Sequence, residues 1–147
     1  MEPYVITTRA EYDLARAYKF EPLLGFKPIK GRVYMKLDIR LRVEIQRELF
    51  GQGHTPEENE KFYRWCWLHK PHICEECMRP LTQYSATYVS HILTRGAHPE
   101  MAHDPRNVNI LCFKHHSQWE NGKRENMRIF ASNQLIIEQL KAEYARL

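Results

Sequence analysis

Cys74-Glu-Glu-Cys77 and Cys112-Phe-Lys-His115-His116 put thiols and imidazoles into two knuckles, each holding its pair three residues apart. Zinc takes four soft or borderline ligands on a tetrahedron, and this spacing lets both members of a pair turn toward one ion. A set of Cys74, Cys77, Cys112 and His115 is closed, with no position left for substrate, so its expected work is to staple the chain. The plainer alternative is a group of buried thiols beside a surface histidine. Successive residues on a helix diverge by roughly 100° around its axis, so His115 and His116 cannot both face the ion. The knuckle spacing gives His115 to the zinc and frees His116, although His116 could take its place. Between the knuckles lie Ser90-His91-Ile92 and Asn107. An imidazole of near-neutral pKa can take a proton from an attacking water. A divalent cation can stabilise charge building on a leaving oxygen. Hydrolysis of a phosphodiester needs both at once.

Taken in order, Cys74-x-x-Cys77, Ser90-His91-Ile92, Asn107 and Leu111-Cys112-x-x-His115-His116 resemble the HNH endonuclease family, whose core is the ββα-metal finger. The likeness runs from about Cys74 to Gly122. It implies a DNA endonuclease with His91 as general base. Asn107 would hold that imidazole or its loop across a hairpin, and His116 would bind a catalytic Mg²⁺ or Mn²⁺. It also implies products with a 5′-phosphate and a 3′-hydroxyl, and an approach through the minor groove. Asn109 is the rival to Asn107. The chain departs from the family at Ser90, where an Asp or His usually helps to bind the catalytic metal. The cation would then rely on His116 and Glu120, four apart on one helix face, or on His103 or Asp104 from the loop. Glu120 could equally be a solvated charge at a helix end, and His98 and His103 read more simply as loop surface.

Two other functions stay open. Ser90 favours a zinc-stapled DNA-binding module with a degenerate, non-catalytic site. Thr94-Arg95-Gly96-Ala97-His98-Pro99-Glu100 resembles phage-encoded recombination nucleases of the same superfamily, which points to branched DNA. Arg95, Arg106, Lys123 and Arg124 flank the motif and could grip phosphates, solvent-facing charge being the simpler reading of each.

The elements that must position these residues are partly legible. Thr8 with Glu11 resembles a capping box and predicts a helix from Arg9 to Tyr18. Residues 21–31, with two prolines and two glycines, read as loop. Val33 to Ile45 alternates apolar residues as a strand would, yet Leu37, Leu41, Ile45 and Leu49 recur at helical spacing. The favoured reading is a short extended piece before a helix from Asp38 to Phe50 that Gly51 closes. Thr55-Pro56-Glu57-Glu58 caps a helix that runs to His69, before Pro71. Cys66 within it reads as a buried packing thiol. Strands are expected over Ser85–Leu93 and Asn107–Cys112, the second with Val108 and Ile110 on one face and Asn107 and Asn109 on the other. A helix from Phe113 to Glu120 should stop at Asn121-Gly122, with Trp119 packing it, and a last helix should span Asn133–Arg146. The expectation is an α+β fold. A basic N-terminal region at 1–70 packs on a zinc-stapled core at 71–124, with a C-terminal helix at 125–147, together forming one compact domain.

At 147 residues, with 43% hydrophobic and 27% charged side chains, the chain can bury a core. The first residues lead into no apolar run, so neither a leader peptide nor a membrane span is expected. The expected compartment is the cytoplasm, where thiols stay reduced and bind metal. A homodimer is compatible with the chain, whose oligomeric state the sequence leaves open. The net charge of +4 is modest. Lys27, Lys30, Arg32, Lys36, Arg40, Arg42 and Arg47 concentrate positive charge in one segment, opposed by Asp38 and Glu44, as suits either a polyanion or plain solvation.

Overall fold

The computed structural model describes residues 4–17, 24 and 35–147. The loop expected at residues 21–31 lies almost wholly outside this set, as do Tyr18, Lys27, Lys30 and Arg32.

The fold is α+β, with helices dominating two small sheets. Strand β1 (Tyr4–Ile6) pairs in parallel with β2 (Met35–Leu37). Helix α1 (Arg9–Ala17) lies between them in sequence, and the Thr8 hydroxyl accepts the Glu11 N–H at its start. Helix α2 (Ile39–Phe50) follows β2 directly, because the Asp38 side chain accepts the Arg40 N–H and caps it. Gly51 ends it at φ 92°, its N–H returning to the Arg47 carbonyl. That φ favours glycine, and a Cβ there would also displace the Glu58 carboxylate, which it would meet at 1.5 Å. That carboxylate completes the expected capping box of α3 (Pro56–His69), accepting Thr55 N–H at 3.0 Å while the Thr55 hydroxyl accepts Glu58 N–H at 3.2 Å.

The second sheet is an antiparallel hairpin of β3 (Val89–His91) and β4 (Val108–Ile110), with Ser90 opposite Asn109 and His91 opposite Val108. Helix α4 (Phe113–Asn121) follows at once and Gly122 stops it. Both strands are shorter than the sequence suggests. Residues 86–88 and 105–107 wind into single 3₁₀ turns, capped by the Ser85 and Asp104 side chains, and so leave the ladder. Asn107 therefore sits in a turn and shares no strand face with Asn109. All four residues Asn107 to Ile110 are buried.

The last helix, α5 (Phe130–Tyr144), begins three residues before the expected Asn133. Its cap is not local: the Glu76 carboxylate, from the first knuckle, accepts the Arg128 and Ile129 N–H groups at 2.9 and 3.0 Å. A carboxylate at a helix N-terminus also meets the positive end of the helix dipole. Asn133 instead turns inward and exchanges hydrogen bonds with Asn109.

One apolar cluster runs through the described residues, from Ile6 and Leu37 through Phe50, Phe62 and Cys66 to Ile110, Trp119 and Ile129. Cys66 is fully buried, and burial pushes its thiol up to about 12, as an inert packing residue requires. Trp119 packs the underside of α4 and donates its indole N–H to the Ile92 carbonyl. Among the described residues no helix is long and apolar enough to cross a membrane.

Candidate functional site

The two knuckles converge. Cys74, Cys77, Cys112 and His115 bring their ligand atoms within 4.8 Å of one another. His115 Nδ1 lies 3.2 Å from Cys112 Sγ and 3.7 Å from Cys74 Sγ, and Cys77 Sγ lies 4.0 Å from Cys112 Sγ. Zn–S and Zn–N bonds of about 2.3 and 2.1 Å on a tetrahedron give edges of roughly 3.6–3.8 Å. The four residues fit one metal ion such as zinc, with His115 as ligand and not His116.

The first knuckle is built as a tight hairpin turn. Cys74 donates its N–H to the Arg79 carbonyl, Met78 N–H returns to the Cys74 carbonyl, and Met78 takes φ 63° to make the turn. Burial raises the Cys74 thiol, whereas the backbone N–H of Arg79 draws the Cys77 thiol down. The two glutamates inside the knuckle are structural. Glu76 caps α5, and Glu75 accepts from the Ile110 N–H and from Asn109 Nδ2. Asn109 thus ties the knuckle to α5, while Asn107 has a different task. Asn107 Oδ1 accepts Leu93 N–H at 2.8 Å, and its Nδ2 donates to the Leu93 and Met101 carbonyls. It closes the neck of the loop between β3 and β4.

That loop holds His91. The imidazole Nε2–H donates to the Ala102 carbonyl at 2.8 Å. A carbonyl can only accept, so Nε2 carries the hydrogen and Nδ1 keeps its lone pair in the neutral ring. Phe62 and Tyr63 pack against the ring with centroids at 6.0 and 6.1 Å. Burial pushes the His91 pKa down to about 4, the Ala102 hydrogen bond opposing; Arg95 and His116 push the same way as burial, and Glu120 opposes. His91 is therefore neutral near pH 7, with Arg95, His116 and Glu120 close enough to act on it.

His116 turns away from the knuckles, as the roughly 100° divergence of successive helical residues requires. Its Nδ1 donates to the Thr87 carbonyl, and its Nε2 lies 2.8 Å from Glu120 Oε1. With the hydrogen on Nδ1, a neutral ring turns a second lone pair toward a carboxylate. Two acceptors at that distance need either an imidazolium or a shared cation. Among the described residues no third Cys, His, Asp or Glu forms a cluster with these two.

Several expected contributors are engaged elsewhere. Ser90 is 1% exposed, and its hydroxyl has no hydrogen-bond partner. Asp104 is fully buried and accepts from Arg42, Arg106 and the Tyr144 hydroxyl, so it is not available to a cation at His116. Burial alone would raise the Asp104 carboxyl, but the Arg42 and Arg106 charges outweigh it and hold it down at about 2. Arg106 is committed to Asp104 and Glu143 and cannot grip a phosphate. Arg124 lies over the Trp119 ring at 4.6 Å. The basic segment is likewise thinned: Lys36 pairs with Glu143 and Arg42 with Asp104, leaving Arg40 and Arg47 exposed.

His103, expected on the loop surface, is buried, donating Nε2–H to Asn59 Oδ1 and stacking on His54 at 4.4 Å. Burial and then the neighbouring His54 push its pKa down to about 4. The unfolded chain takes up this proton near pH 6.5, the folded chain near 4. Stability from the neutral ring is thus complete above about pH 6.5 and is lost as the pH falls toward 4. His103→Phe, compared with wild type at equal zinc content, should flatten the fall in melting temperature over that interval. An unchanged slope would locate the acid sensitivity elsewhere.

No family model, no curated protein and no solved structure matches this chain.

Proposed function

We propose that the chain is a divalent-metal-dependent HNH-type endonuclease acting on DNA, built on a zinc-stapled ββα-metal core. The observation that carries the reading is the proton arrangement at two histidines. His91 is neutral, with Nε2–H committed to Ala102 and the Nδ1 lone pair available, while His116 Nε2 and the Glu120 carboxylate lie 2.8 Å apart, a spacing that an imidazolium ion pair or a shared cation would satisfy. The first arrangement suits a general base. The second suits two ligands of a hard cation that keeps water in its remaining positions.

In this reading His91 Nδ1 takes the proton of the attacking water. Ala102 fixes the tautomer and orientation of the ring, and Asn107 fixes the loop that carries Ala102. A Mg²⁺ or Mn²⁺ ion held by His116 and Glu120 would polarise the phosphoryl group and stabilise the leaving oxygen. Ser90, buried with no ligand role, leaves that site with fewer protein ligands than the HNH pattern implies. The zinc site takes no part in the chemistry and holds the hairpin against α4.

A plasmid-nicking assay tests this. Wild type with Mg²⁺ or Mn²⁺ should nick, and His91→Ala should lose on the order of a hundredfold or more in rate. A wild type that binds DNA without cutting would favour the zinc-stapled DNA-binding module, which the buried Ser90 supports. Junction substrates run beside plain duplex would separate a branched-DNA nuclease from a general one.

A further inference from the structure

We propose that Tyr63 and Arg95 form a phosphate clamp beside His91, in which Arg95 binds a phosphodiester of the DNA strand and Tyr63 positions the guanidinium. The identity of the ligand rests on the nuclease reading; the contacts do not. Tyr63 belongs to α3, outside the knuckle–hairpin–helix unit that carries the HNH likeness. Its half-buried ring meets the His91 ring nearly edge-on, at 71° and 6.1 Å between centroids. The Arg95 guanidinium carbon lies 6.0 Å from the centroid of the same Tyr63 ring. One aromatic side chain therefore touches the candidate base and a cation together.

Arg95 differs from three arginines near the site, and unlike Arg124, which lies over Trp119, it shares its ring with the candidate base. Arg42, Arg106 and Arg64 each pair with a carboxylate. Arg95 is exposed and has no carboxylate within ion-pair distance among the described residues. Its charge acts on His91, His103 and Tyr63. A guanidinium held over an aromatic face keeps its N–H edge free, and that planar fork matches two oxygens of a phosphate. Contact at this distance is the outer range of the cation–π attraction, so Tyr63 restricts where the side chain points without burying its charge. The uncommitted cation thus stands on the flank of His91, where a scissile strand would have to pass.

The test measures binding first. Fluorescence anisotropy of a labelled duplex in Ca²⁺, repeated across a salt series, reads affinity without requiring cleavage. Arg95→Ala should weaken binding roughly tenfold, as expected for a lost charge-assisted contact. It should also lower the slope of log K against log salt by about one. Tyr63→Ala should weaken binding in the same direction by a smaller factor, and Tyr63→Phe, which keeps the ring, should restore most of that loss. In Mg²⁺ the Arg95→Ala effect should fall mainly on KM, whereas His91→Ala should fall on kcat. Wild-type affinity and salt slope in Arg95→Ala would overturn the clamp, as would a wild type that binds no DNA. A wild type that binds with the expected slope, loses it in Arg95→Ala and never nicks would overturn the nuclease reading and leave the clamp supported.

Discussion

Stripping the metal from Cys74, Cys77, Cys112 and His115 should abolish cooperative folding of the segment from Pro71 to Gly122. The argument is one of scale. Between Pro71 and Val89 the chain forms one isolated bridge and one short 3₁₀ turn, and each hairpin strand has three residues. Strands of that length do not hold themselves together in water. Binding at a four-ligand zinc site contributes on the order of 10 kcal/mol of apparent free energy at neutral pH, comparable to the whole stability of a domain this size. The staple also fixes what lies beyond it. Glu75 reaches β4 and Glu76 accepts the N–H groups at the start of α5 from within the first knuckle, so opening it should release both contacts. Chelation, or Cys74→Ala, should therefore broaden or erase the thermal transition and unfreeze the amide protons of β3, β4 and α5. The protein as purified should contain one equivalent of zinc. A metal-free protein melting as sharply and as high as the loaded one would refute the staple.

Asp104→Asn should cost about 3 kcal/mol or more, the usual result of removing one partner from a buried ion pair. Asp104 sits between the Arg42 and Arg106 guanidinium groups and also accepts the Tyr144 hydroxyl at 2.9 Å. An amide there removes the charge that pairs with both Arg42 and Arg106, while Arg106 keeps its ion pair with Glu143. For a chain of this length such a loss lowers the melting temperature by roughly 10 °C. The native carboxylate is held at about 2, so its contribution is complete above the unfolded value near 3.9 and is lost as the pH falls toward 2. That window lies below the one assigned to His103, and the two can be read separately. The same substitution should reach His91, because Asp104 caps the turn beside the loop whose Ala102 carbonyl orients the imidazole. A melting temperature indistinguishable from wild type would show that the network is replaceable by solvent.

Local chemistry carries far in this chain. The Thr55 to Glu58 capping box, Asp38 before α2 and the glycines after α2 and α4 set helix ends within a few bonds of themselves, and those ends stand where the residues put them. The short strands and the early start of α5 follow a different logic. Ser85 and Asp104 turn neighbouring backbone away from the ladder, and Glu76 caps a helix more than fifty residues away. No window of sequence around Asn133 contains the carboxylate that starts its helix.

The four residues that could hold a metal ion were legible in the sequence, because two candidate ligands three residues apart constrain each other through the covalent chain. The divergence of His115 from His116 was likewise determined, by the pitch of a helix. Only the tertiary structure decided which polar residues were left at the surface. Arg106 and Asp104 carry the same charges as Arg95 and Glu120, yet burial commits the first pair to each other and leaves the second at the surface. Burial depends on what packs above a residue from distant parts of the chain. It turned Arg106, read as solvent-facing charge or a phosphate contact, into part of an internal ion pair, and a loop histidine into a buried one.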